Sequence, residues 1–238
     1  MATPPAGGAL RRPGVLAEAV LLLLVFVVFT RLHAATGHDL SAAGIHARTL
    51  QTIERALGLD IELALNGWLA GQPVLITVAV LVYRSYYLAI VGVLVWVYVR
   101  HAEVYLVVRR TLVAMLVLIL PVYWAMPMSP PRFSLPGVVD IVAEHDLVDR
   151  PASSGYTAMP SNHVALSAWC AYAVWLALRP AHPRLALLAW LFPLLMTAVV
   201  FTTGNHYVLD VVGSAALLGA SIGVATLWGR LNPLAPHR

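Results

Sequence analysis

The chain has no lysine and a single cysteine, and only 11% of its 238 residues are charged. Each scarcity excludes something. Soluble domains carry charge on roughly a quarter of their residues, so this chain cannot cover a water-facing surface of its own size, and its expected solvent is lipid. One cysteine, Cys170, forbids an intramolecular disulfide and a cysteine-ligated metal cluster. Placed within an apolar run, it reads as a small buried hydrophobe. Without lysine, all 15 basic residues are arginine, which reads as the codon bias of a GC-rich bacterial genome. The net charge of +4 does not point to nucleic acid, because the arginines are scattered and form no basic stripe interleaved with aromatics.

What is present is apolar: 60% of the residues are hydrophobic. Runs long enough to span a bilayer, about 20 residues each, lie near residues 15–32, 73–99, 111–126, 164–178, 185–201 and 207–227. They predict an all-α integral membrane protein, a six-helix bundle forming one domain over residues 14–228, with a disordered cytoplasmic tail at 1–13 and a second cytoplasmic tail at 229–238. Arg11 and Arg12 precede the first run as they would in a signal peptide. That run exceeds a signal core, and Arg31 stands where small cleavage-site residues belong, so an uncleaved anchor is expected. Between the first two spans, Ile45, Leu50, Ile53, Leu57 and Ile61 recur at helical spacing with Arg48, Glu54 and Arg55 on other faces. This predicts an amphipathic helix in the interface over residues 40–69.

Arginine counts set the expected orientation. With six spans, the side holding both termini carries nine arginines and the other side five, with Arg84 inside a span. The positive-inside rule makes the nine-arginine side cytoplasmic and turns the long loop 127–159 outward, in the plasma membrane.

That topology gathers three polar segments on the outer face: Pro127 to Arg132, Met159 to His163, and Thr202 to Asp210. His206 and Asp210 are four apart at a helix start, so one turn stacks them. A carboxylate on one imidazole nitrogen fixes the tautomer and leaves the other nitrogen as a lone pair. Pro160-Ser161 ahead of an apolar run reads as a helix start with Ser161 near the cap, where free amides suit a phosphate. His163, in that first turn, is placed to give a proton to a leaving oxygen. Arg132 follows two prolines that stiffen its approach, and guanidinium pairs bidentately with phosphate. Arg84, flanked by Tyr83, Tyr86 and Tyr87, is a further candidate: a partner of Asp210, a reach from the phosphate site, or a break in the span. His33, His38, His46 and His101 receive no role.

Taken together, these segments resemble the type 2 phosphatidic acid phosphatase superfamily, in which Pro-Ser-x-His is matched by Pro160, Ser161 and His163, and His-x-x-x-Asp by His206 and Asp210. Ser129 to Arg132 (Ser-Pro-Pro-Arg), the His-Tyr-x-x-Asp-Val of His206 to Val211, and the stretch from Glu54 to Leu69 resemble the aureobasidin-resistance, or inositol phosphorylceramide synthase, branch. The resemblance implies a phosphorylated His206, oriented by Asp210, with His163 protonating the leaving group, Arg132 and Ser161 binding phosphate, and no metal or cofactor. Ala125, Phe133 and Val200 stand where the usual motifs have lysine, proline and arginine. Charge neutralisation then falls to Arg132, the helix amides, and Arg84 or Arg150.

The expected function is therefore phosphoryl or phospho-headgroup transfer, inositolphosphotransferase-like, on a membrane lipid or lipid phosphate. The alternatives are a lipid phosphate or polyprenyl diphosphate phosphatase and a non-enzymatic lipid-binding relative. A zinc site built from His163, His206 and Asp210 is a third reading of the same residues. Protein partners are not legible.

Overall fold

The computed structural model describes residues 13–145 and 155–232. The expected terminal tails and Arg150 fall largely or wholly outside them.

The first helix, α1 (Val15–Ala34), is a run of leucine, valine and phenylalanine with its spanning window only 6% buried. Its one buried residue is Glu18. Arg109 Nη1 donates to both Glu18 oxygens at 2.8 Å, and the Tyr105 hydroxyl donates to Oε1 at 2.9 Å.

The segment expected to form one amphipathic helix forms two: α2 (Leu40–Leu57) and α3 (Glu62–Ala70). Asp39 caps α2 by accepting the Ala42 N–H at 2.8 Å. Gly58 ends it at φ 67°, a left-handed conformation that costs glycine nothing, and the Leu59 N–H returns to the Glu54 carbonyl at 2.8 Å. The five apolar residues divide between the bundle and the outside of the fold. Leu50 is buried, whereas Ile45, Ile53, Leu57 and Ile61 are exposed. α2 meets the bundle with Ala43, Ala47, Leu50 and Glu54.

α4 (Pro73–Arg100) runs unbroken through Arg84. α5 (Ala102–Ala125) starts earlier than the expected span and takes in Arg109 and Arg110. Both charges are met without leaving the helix: Arg109 by Glu18, and Arg110 by the Asn232 carbonyl at 3.2 Å and the Trp228 ring. Pro121 sits inside α5 without breaking it.

The long loop after α5 carries two single-turn helices, α6 (Pro131–Ser134) and α7 (Ile141–Glu144). Met128 bridges to the far side of that loop, donating its N–H to the Tyr156 carbonyl at 2.7 Å and accepting from Ala158 at 3.1 Å.

α8 (Asn162–Leu178) is a 17-residue helix, the shortest of the expected spans and the most enclosed. It packs against α4, α5, α10 and α11, and its small residues, among them Ala165, Ser167, Ala168 and Ala173, let those neighbours come close. Trp169 ties it to α5 by donating to the Val108 carbonyl at 3.0 Å. The fifth expected span is split into α9 (Pro183–Leu188) and α10 (Leu191–Thr202). Pro193 has no N–H for the Ala189 carbonyl, and its ring crowds that oxygen, so the helix restarts just before it. α11 (Val208–Leu231) closes the bundle along α5. Counting α9 and α10 together, five segments among the described residues are long and apolar enough to cross a membrane, and α8 is a shorter apolar helix beside them.

Candidate active site

Two helix starts meet at one end of the bundle. At the start of α8, Ser161 is the N-cap, its Oγ accepting the Val164 N–H at 3.3 Å. The segment is stitched to its neighbours. Tyr123 donates to the Pro160 carbonyl at 2.9 Å, and the Ser214 hydroxyl lies 2.9 Å from the Ser161 carbonyl and 2.8 Å from that of Asp210.

At the start of α11, the chain leaves α10 through Gly204, at φ 72°. A Cβ there would come within 2.6 Å of Val138 Cγ1, so glycine is required by space as well as by conformation. The turn delivers His206 with its Nδ1 3.2 Å from Asp210 Oδ2. Asp210 is fully buried and His206 only 6% exposed. The same Oδ2 accepts the Tyr207 N–H at 2.9 Å, while Asp210 Oδ1 is buried with no hydrogen-bond partner among the described residues. Among the described residues Nδ1 of the His206 ring has a hydrogen-bond partner and Nε2 has none.

His163, in the first turn of α8, faces His206 with ring centroids 6.3 Å apart. Tyr83 and Tyr86 lie three apart on one face of α4. Tyr83 stacks on His163 at 4.1 Å, and Tyr86 lies tilted at 4.3 Å. Arg132 is fixed from several sides. Its backbone N–H donates to the Gly204 carbonyl at 3.0 Å, its Nη1 donates to Asn205 Oδ1, and its Nε lies 3.0 Å from Asp140 Oδ2. The Tyr83 hydroxyl reaches the same Asn205 oxygen at 3.5 Å, so Asn205 links the arginine to the ring that packs on His163.

A histidine held by a buried carboxylate, a second histidine opposite, an arginine beside them and the open amides of a helix start form the equipment of nucleophilic phosphoryl chemistry. A family model described as the PAP2 superfamily matches residues 48–224, well over half of the chain. The chain belongs to the PAP2 superfamily. Its members are phosphatases and phosphotransferases acting on lipid phosphates, and this chain is a multi-pass membrane enzyme of that broad kind. No curated protein and no solved structure gives a significant match. The PAP2 match begins inside α2 and ends inside α11, so α1 lies beyond it.

In this PAP2 chain, Ser161, His163, His206, Asp210 and Arg132 come together at one end of the fold, although 74 positions separate Arg132 from His206. Arg84 is not a break in the span. Its guanidinium lies 5.7 Å from the Tyr83 ring centroid, within electrostatic range of His163. Among the described residues no three His, Cys, Asp or Glu side chains, the His163–His206–Asp210 set included, are arranged to hold a metal ion. His46 has a structural use, bonding the Pro127 carbonyl at 2.8 Å. Sequence reasoning missed Asp140 and Asn205, both holding Arg132, and the packing of Tyr83 and Tyr86 on His163. Asn205 had one available signal, its place immediately before His206.

Proposed function

We propose that the chain transfers a phosphoryl or phospho-headgroup from a lipid donor through a phosphohistidine at His206, on the outer face of the plasma membrane. The observation that carries this reading is the buried His206–Asp210 pair, with the His163 ring opposite it and Arg132 held on the neighbouring Asn205. Asp210, bonded to Nδ1, fixes the tautomer and stabilises the imidazolium-like charge that develops.

Nε2 attacks phosphorus in line. The P–N bond forms as the bond to the leaving oxygen breaks, and His163 gives that oxygen its proton. An acceptor oxygen then attacks phosphorus, the P–N electron pair returns to Nε2, and His163 takes the acceptor's proton. Arg132 and the amides at the start of α8 carry the phosphate's charge. Ser161, its hydroxyl committed to the cap, acts by presenting those amides. Arg84 adds positive potential beside His163. Tyr83 and Tyr86 hold the His163 ring.

An alcohol acceptor makes the enzyme a transferase, and water makes it a phosphatase. Ala125 and Val200, in place of the usual cations, support the inositolphosphotransferase-like branch over a plain phosphatidate phosphatase. The orientation follows from the arginine asymmetry, with α8 as the sixth crossing and both termini in the cytoplasm.

The test is turnover of a panel of lipid phosphates and diphosphates by the purified protein, with and without free inositol. An inositol-phosphate-bearing product is expected. Release of inorganic phosphate alone, unaffected by inositol, would make the enzyme a lipid phosphate or polyprenyl diphosphate phosphatase. In the same assay His163→Ala should be slow on poor leaving groups and much less impaired on an activated aryl phosphate, which needs no proton to leave. Cysteines introduced near Glu144 should label from outside, and those near Arg179 only after lysis; the reverse pattern would place the site on the cytoplasmic face.

A further inference from the structure

Glu54 and Glu62 take no part in the chemistry above, yet both are buried, at 1% and 2% exposed. Glu54 belongs to the bundle-facing stripe of α2, and Glu62 opens α3 just beyond the Gly58 turn. That turn brings both carboxyl groups over the first turn of α11. Glu54 Oε1 accepts the Leu209 N–H at 2.7 Å, and Glu62 is in hydrogen-bonding reach of the Val208 N–H. The preceding amide, of Tyr207, is taken by Asp210. A helix leaves its first amides without internal partners, and here each of the three is met by a carboxyl group, two of them from α2 and α3. Gln51, one turn before Glu54, adds a bond to the Tyr207 hydroxyl at 2.9 Å. The segment that aims His206 is therefore gripped from outside its own helix.

The two grips are also in reach of each other, and each has one carboxyl oxygen, Glu54 Oε2 and Glu62 Oε1, buried with no donor among the described residues. Ionised carboxylates only accept, so two ionised groups cannot bond to one another, whereas one proton between them turns one into a donor. We propose that Glu54 and Glu62 share a single proton and act together as a positioning pair, fixing the start of α11 and with it the aim of His206.

Charge favours the same state. Among the described residues, the ionisable groups acting most strongly on the pair are Asp210 on α11, Asp60 in the α2–α3 turn and the Tyr207 hydroxyl, acids all. The helix start favours one negative charge, but a second would sit among these acids in a buried place. Burial pushes the Glu54 carboxyl up to about 8, with Glu62 and Asp210 adding to the rise against the Leu209 N–H, and burial raises Glu62 as well.

The positioning role rests on His206 being the nucleophile; the shared proton does not. The first readout is therefore independent of activity. Infrared spectra of the full-length protein in detergent should show a protonated carboxyl band at pH 7 that fades as pH rises through about 8. Either Glu54→Gln or Glu62→Gln alone should abolish it, because the amide becomes the donor and the remaining acid ionises. A neutral-pH spectrum without such a band, or one left whole in either single variant, overturns the proposal.

Stability gives a second readout. A folded value raised above 4.5 contributes stability that is full below 4.5 and lost as pH rises through about 8. The thermal midpoint of the wild type should fall across that window, and in the glutamine variants the fall should be shallower; an equal fall in both contradicts the pair. The third readout is kinetic. Glu54→Ala should lower kcat roughly ten- to hundredfold at little-changed KM, as misaimed catalytic groups do. Glu54→Gln should recover most of that loss and extend activity to higher pH. A glutamine variant no better than alanine, with the wild-type pH profile, would reduce the pair to packing.

Discussion

Among the described residues, two buried side-chain pairs lie towards opposite ends of the bundle and are built differently. Glu18–Arg109 joins α1 to α5, and His206–Asp210 opens α11. Arg109 and Tyr123 lie on α5 about 21 Å apart at 1.5 Å per residue, and Tyr123 reaches the Pro160 carbonyl at the active-site end. The first pair is closed. Both Glu18 oxygens take an arginine N–H at 2.8 Å, and a tyrosine hydroxyl adds a third donor. The second pair is left open: Asp210 Oδ1 has no partner and His206 engages only Nδ1 among the described residues. A buried pair of this kind is a clamp where both carboxylate oxygens are answered, and in the proposed mechanism it does chemistry where one nitrogen has no partner among the described residues. Mutations at the two ends should therefore fail in different ways.

The largest effect is expected from His206→Ala, which should abolish turnover while leaving the thermal midpoint within a few degrees of wild type. Asp210→Asn should keep the fold and lose about 10³- to 10⁴-fold in kcat, because the imidazole can then take the wrong tautomer. Equal damage to stability and turnover in Asp210→Asn would make the open pair a second clamp and break the comparison.

Glu18→Ala should do the reverse. Removing one partner of a buried pair costs roughly 3–5 kcal/mol, read as a lower unfolding midpoint in detergent, while the surviving folded enzyme should keep its kcat. A fall in kcat at permissive temperature would show that α1, which lies outside the family match, contributes to the site after all.

Arg132→Ala should cost about ten- to hundredfold in kcat/KM by removing a charge-assisted bond of roughly 1.5–3 kcal/mol, and lysine should restore only part of it because the fork is lost. Asp140→Asn should be the mildest change. It weakens a partly exposed pair of a kind worth roughly 0.2–1 kcal/mol, so phosphate competes more easily for Arg132 and KM should fall up to about fivefold. A rise in KM would mean that Asp140 is needed to point the arginine.

The parts of this site legible in the sequence are those made within one turn or by one cap. His206 and Asp210 are four apart, and Ser161 stands just before its helix, so local periodicity and capping rules find them. Their supports come from elsewhere in the chain and leave no local mark: Glu54 on Leu209, Asp140 and Asn205 on Arg132, Tyr83 on His163. The helix boundaries diverge for equally specific reasons. Arg109 and Arg110 read as loop residues until their distant partners are in place, and a hydropathy run does not reveal that Pro193 will interrupt 185–201 while Pro121 leaves α5 whole. The α2–α3 segment reads as one helix because apolar spacing continues past Gly58, and of the residues that produce the spacing only Leu50 is buried against the bundle.

The most direct measurement is radiolabel on the quenched protein after brief exposure to a phosphorus-labelled lipid phosphate, compared across wild type, His206→Ala, Asp210→Asn and His163→Ala. Wild type should carry acid-labile, base-stable label, as a phosphohistidine does, and His206→Ala should carry none. His163→Ala should still become labelled with an activated aryl phosphate and lose the label slowly, because the base for the second step is missing. Label that persists in His206→Ala would contradict the assignment of the nucleophile, even if that variant had lost all turnover.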